Sequence, residues 1–154
     1  MARRVSALVF ACLYLLAEGV VAGENGGATI FAKRCAPCHQ ASAEGIPGLA
    51  PPLVGNVGRY AKSPEGVDYL IRVLLAGLAG PITVNGVSFR GAMPAQKELT
   101  DSEIAAVLTY LLEAIEKVDR SVDVSIDRVS ALRRLEGSPS QTLKLRSRVV
   151  ELQN

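Results

Sequence analysis

Five consecutive residues, Cys35-Ala36-Pro37-Cys38-His39, concentrate most of the chemistry available to this chain. Two thiols three residues apart at a helix end can add to the two vinyl groups along one edge of a haem. The adjacent imidazole of His39 then lies under the iron as its proximal ligand, and C-x-x-C-H is the pattern of c-type haem attachment. The competing readings are a redox disulfide, half of a zinc site, or a chance match. A thioredoxin-like motif belongs in a βαβ surround, which the pattern here lacks. A zinc site needs four ligands, and beyond residue 22 there is no third Cys and no second His.

A low-spin haem takes a second axial ligand from its far face. With Met1 discarded by processing, Met93 is the candidate, in the loop Gly91-Ala92-Met93-Pro94. A lone Met is often core filler, but core filler normally sits on a periodic helix face, whereas Met93 sits between residues that shape a loop. Thioether sulfur favours ferrous iron and raises the reduction potential relative to a His/His haem. Filling both axial positions leaves no open site for O₂ or peroxide, which points to electron transfer.

Composition narrows the field in the same direction. The 154 residues suffice for one domain with targeting and tail segments. Hydrophobic residues at 49% and charged residues at 21% are globular proportions. Lys+Arg 17 against Asp+Glu 15 gives no basic excess of the kind that nucleic acid would attract. One His excludes His-rich metal sites and two-histidine zinc motifs.

Residues 1–22 read as a secretory signal peptide. Arg3 and Arg4 form a positive start, Val5 to Ala17 are apolar, and Val20-Val21-Ala22 supplies the small residue before the cleavage point. The apolar core is shorter than the roughly 20 residues of a membrane span. An uncleaved anchor is the competing reading. Export to the periplasm also supplies the compartment in which haem c is attached, and Cys12 leaves with the signal.

The elements that must position these residues follow from periodicity and punctuation. Ala28 to Cys38 is a short amphipathic helix running into the motif. Residues 40–62 are loop, dense in Gly and Pro. Ser63-Pro64-Glu65 starts a helix that runs to Ala76, with Val67, Leu70, Ile71, Leu74 and Leu75 on one face. Asn85-Gly86 turns a small β-hairpin between Ile82 and Phe89, and Gly91 to Lys97 follow as loop. Thr100 to Glu103 form a capping box for a helix from Asp101 to about Lys117. Residues 118–124 are linker, Ile126 to Leu135 a short helix, and residues 138–154 a tail bearing Lys144, Arg146 and Arg148. The expected domain plan is therefore signal peptide 1–22, one domain 23–117, linker plus short helix 118–137, and C-terminal tail.

The stretch from Ala28 to about Ile115, some three-fifths of the chain, resembles a class I monohaem cytochrome c. The resemblance rests on Cys-Ala-Pro-Cys-His, on Gly48 to Asn56, on Gly80 to Gly86, on Gly91-Ala92-Met93-Pro94 and on Ile104 to Tyr110, in order. More closely, these segments are similar to the haem domains of bacterial alcohol and sugar dehydrogenase cytochrome subunits and of quinohaemoproteins. The resemblance implies a mainly α fold, three to four helices around one covalent haem, with a small hairpin. It implies thioethers at Cys35 and Cys38, axial ligands His39 and Met93 on the iron, and a Pro51 carbonyl bonded to the His39 ring. It also implies that Gly27 and Phe31 meet Tyr110. The chain departs from the family in lacking Trp and in the segment after residue 117.

The function expected is that of a periplasmic electron carrier without catalysis of its own, taking electrons from a dehydrogenase and passing them toward an oxidase or another cytochrome of a respiratory chain. It would act as a subunit or as a free shuttle. The competing readings are a small haem peroxidase or gas sensor in which Met93 dissociates, and a redox-disulfide protein without haem. Residues 23–120 carry nine Lys/Arg and ten Asp/Glu, so no strongly basic docking face is expected. Membrane association would come through a partner or an uncleaved signal.

Overall fold

A computed structural model describes residues 25–119 and 121–151. The expected signal peptide lies outside the described residues. No helix among those described is long and apolar enough to cross a membrane.

The first helical rod has three parts: α1 (Asn25–Ile30), a π-helical turn (Phe31–Cys35) and α2 (Ala36–His39). The wide turn has a cause in the sequence. Pro37 has no N–H to donate and its ring would crowd the preceding turn of an α-helix. A turn closed by Ala36 N–H bonding to the Phe31 carbonyl makes room for it. The rod ends at Gln40, whose φ of 64° turns the chain away.

α3 (Pro64–Ala76) opens on Ser63, whose hydroxyl accepts from the Gly66 N–H, with Pro64 in the first turn. Its buried face carries Val67, Leu70, Ile71 and Leu74. α4 (Asp101–Thr109) opens on the capping box of Thr100 and Glu103 and continues through a second π-helical stretch (Tyr110–Ile115). α1 crosses α4 where Gly27 meets Ala106. A Cβ on Gly27 would lie 2.2 Å from the Ala106 carbonyl oxygen, so the crossing is as close as it is because no side chain intervenes. Phe31 and Tyr110 pack beside it as a tilted ring pair, centroids 5.7 Å apart and planes at 52°. Just beyond the second π-helical stretch, Glu116 receives the Gly55 and Gly58 N–H groups, tying loop 40–62 to this helix end.

Two small antiparallel pairs complete this part. β2 (Ile82–Val84) and β3 (Val87–Phe89) form the expected hairpin, with Asn85 at φ 50° and Gly86 at φ 79° as a type I′ turn needs. β1 (Leu78–Ala79) pairs with β4 (Ala92–Met93), Leu78 opposite Met93. Gly91 to Lys97 are therefore not all loop, as the sequence alone suggests; a two-residue strand has no alternation to read, and its partner lies across the hairpin.

After residues 118–124, α5 (Ile126–Arg134) lies across the ends of α3 and α4. Arg128 bonds Asp68 at 2.8 Å and the Pro64 carbonyl at 2.6 Å, and Arg133 bonds Asp101 at 2.5 Å and the Leu99 carbonyl at 2.7 Å. The reading of the last segment as a tail is corrected by the structure. Pro139–Glu151 is a helix, α6, packed on α3 and β1, with Thr142 and Val149 buried. Its start is a second capping box. Ser138 Oγ accepts from the Gln141 N–H, and Gln141 Oε1 accepts from the Ser138 N–H, with Pro139 at the first helical position.

Candidate haem site

The π-helical turn and α2 together place Cys35, Cys38 and His39 on a cavity of about 250 Å³. Cys35 is half-buried, Cys38 exposed and His39 only 6% exposed. Phe31, Leu70, Leu74, Val107, Leu108 and Leu111 contribute to its apolar walls. Met93 also lines it, delivered by the β1–β4 pair. Gly77 permits that delivery. Its φ of 77° suits glycine, and a Cβ there would lie 2.7 Å from the Met93 carbonyl oxygen.

His39 is oriented. Its Nδ1–H donates to the Pro51 carbonyl at 3.0 Å, which fixes the tautomer and leaves Nε2 as the acceptor nitrogen. Burial lowers its pKa below the usual histidine value, and the bond to Pro51 acts in the opposite sense. The neutral form, the one that ligates metals, is therefore favoured. Pro51 is held by its neighbours: Ile46 and Ala50 bridge, and the positive φ of Gly45 brings it under Ala50 and Pro51, where a Cβ would clash at 2.5–2.6 Å.

The Cys35 thiol is pushed up to about 11 by burial and by the neighbouring Cys38. Redox-active C-x-x-C pairs work with a depressed thiol pKa, so this environment does not favour dithiol chemistry. Among the described residues no group of three or more His, Cys, Asp or Glu could enclose a metal ion. Two thiols, an oriented imidazole and a thioether on one apolar-walled cavity fit a flat apolar macrocycle with a central metal. Three cavity residues do not stand out in the sequence: Arg59, Tyr69 and Arg146. Arg146 lies in the stretch that reads as a tail, and only the Ser138–Gln141 capping box could have signalled that it belongs to a helix.

The sequence model of the cytochrome c family matches residues 25–114. A cytochrome c-552 of Thermus thermophilus is 39% identical over 139 residues, which cover 88% of this chain and 93% of the relative. A second Thermus thermophilus cytochrome c-552 is 40% identical over 126 residues, 80% of this chain and 95% of that one. An alignment covering 88% of the chain necessarily runs past the family match and through α5. Proteins of this family carry electrons on a covalently attached haem c, and by its sequence and its helical architecture around an apolar cavity this chain belongs to the cytochrome c family, as a class I monohaem member.

Proposed function

We propose that this chain is an exported one-electron carrier in which Cys35 and Cys38 hold the haem by thioether bonds and His39 and Met93 are its axial ligands. The observation that carries the assignment is the placement of an oriented imidazole and the Met93 thioether on one apolar cavity. When bound, the haem supplies an Fe(II)/Fe(III) couple. The protein's part is to hold it still. Pro51 fixes the imidazole, and the β1–β4 pair fixes Met93, whose neutral sulfur favours the ferrous state. The apolar walls keep water away, so little reorganises between the two oxidation states.

The carrier has no reaction of its own, because both axial positions are filled. Residues 1–22 direct it to the periplasm. There it takes electrons from a dehydrogenase and delivers them toward a terminal oxidase or another cytochrome, as a subunit or a shuttle. The likeness of its segments to dehydrogenase cytochrome domains supports the donor side, and the near balance of charge in residues 23–120 suits docking through apolar contacts.

Met93→Ala is the test of the axial pair. The sulfur-to-iron charge-transfer band of the ferric protein is expected to vanish, and an unchanged spectrum would remove Met93 from the assignment. Carbon monoxide binding to the unmodified ferrous protein under mild conditions would replace the carrier by a gas-binding protein. Gel filtration of a gentle extract, with haem absorbance followed after addition of alcohols, aldehydes and sugars, separates subunit from shuttle.

A further inference from the structure

Arg146 reaches the haem cavity from a helix that lies well outside the family match. Thr142 and Val149, four residues before it and three after, are the buried positions of α6, so Arg146 shares the face that packs inward. That face is seated closely: Leu143 lies against Gly80, where a Cβ would come within 2.6 Å of it. The Arg146 guanidinium donates to the Thr83 carbonyl on β2 at 3.0 Å and lies beside the phenol of Tyr69, itself only 5% exposed.

The charge around this group is one-sided. Among the described residues Arg59 and Arg146 are the charged side chains on the cavity wall, and no Asp or Glu lines it. Among the described residues no carboxylate pairs with Arg146, whereas Arg128 and Arg133 on the adjacent α5 both have one. A guanidinium offers five N–H donors in a fork that matches a carboxylate. Its described partners here are neutral oxygens. A half-buried cation facing an apolar cavity is costly without an anion against it, and haem c brings two carboxylates on its propionate arms.

We propose that Arg146 is a positioning residue for the cofactor, binding a haem propionate, and that α6 is thereby a working wall of the haem site. This rests on the haem reading above. The cation offsets the propionate's negative charge near the iron, which favours the ferrous state and raises the reduction potential. Tyr69 and the Thr83 carbonyl aim the guanidinium, so the terminal helix couples to the redox centre through one side chain.

The test uses the holoprotein. Arg146→Gln is expected to lower the midpoint potential, Arg146→Lys to restore most of the shift, and Arg148→Gln, on the exposed side of α6, to leave it unchanged. In the unmodified ferrous protein, proton NMR is expected to show nuclear Overhauser contacts between the Arg146 side chain and a propionate methylene. This measurement decides the matter even if Arg146→Gln fails to accumulate. Unchanged potentials in both Arg146 variants, or absence of those contacts, overturns the role of Arg146 and leaves the carrier function standing. Failure of the unmodified protein to retain haem through denaturing electrophoresis overturns the haem reading itself.

Discussion

The two walls of the haem cavity are built by opposite strategies. The His39 wall is local. Cys35, Cys38 and His39 come from five consecutive residues, and Pro51, which orients the imidazole, lies only twelve residues on. The Met93 wall is assembled from a distance. Met93 is set by pairing with Leu78 across the hairpin, Gly77 gives it room, and the hairpin is in turn held by Arg146 from α6. A wall made of neighbours tolerates change elsewhere in the fold, while a wall made of long-range contacts reports on everything that supports it.

The largest effect comes from removing what the two walls share. Replacing Cys35 and Cys38 together by Ala is expected to leave a chain without covalent haem whose facing apolar surfaces have no partner. Loss of most helical circular dichroism and of a cooperative thermal transition is expected, because a cofactor bound by the native state alone stabilises that state. A fully helical, cooperatively melting double variant would show that the walls support themselves.

Next come two insertions of one methyl group, one at the α1–α4 crossing that seats the rod carrying His39 and one beside Met93. Gly27→Ala puts a Cβ 2.2 Å from a backbone oxygen of α4. It is expected to cost about 3 kcal/mol in denaturant unfolding, at the upper end for overpacking, with the Met93–iron absorption band intact. Gly77→Ala meets the Met93 carbonyl at 2.7 Å from a backbone conformation that suits glycine. Its expected cost is smaller, about 2 kcal/mol, but the sulfur-to-iron band should weaken. Equal spectra in the two variants would erase the distinction between the walls.

The same contrast explains what could be read in advance. Cys35 to His39, the α3 and α4 helices and the Asn85-Gly86 turn declare themselves through contiguous patterns, and each stands where the residues say. The β1–β4 pair does not, because two residues per strand carry no period and their partners lie fourteen or so positions away. α6 escapes the sequence for another reason. Its buried positions are Thr142 and Val149 with half-buried Leu143 and Leu145 between, a weak stripe among Lys144, Arg146 and Arg148. Charge read as solvation conceals that one of those cations faces inward. The Ser138-Pro139-Ser140-Gln141 capping box is the legible sign of a helix there, and the π-helical turn before Pro37 follows from proline chemistry only once the rod is known to continue through it.

The smallest effect separates the two capping boxes themselves. α4 starts with Thr100 and Glu103, and α6 with Ser138 and Gln141, the same device in ionic and neutral form. The Thr100 backbone N–H bonds the Glu103 carboxylate, with the Thr100 hydroxyl adding to it, and these hold its pKa below the ordinary 4.5. A carboxyl whose folded pKa is depressed adds stability that is fully present above its unfolded pKa. That stability fades as pH falls from about 4.5 through the lower folded value. Glu103→Gln keeps the hydrogen-bonding shape without the charge. Its melting temperature should therefore lie slightly below that of the unmodified protein at pH 7, and the gap should close as pH falls below 4.5. Gln141→Glu makes the reciprocal change and should open a gap of the opposite sign at pH 7, since a carboxylate gains from the helix dipole at α6 as it does at α4. A gap for Glu103→Gln that persisted unchanged to low pH would mean that the α4 cap acts through shape alone.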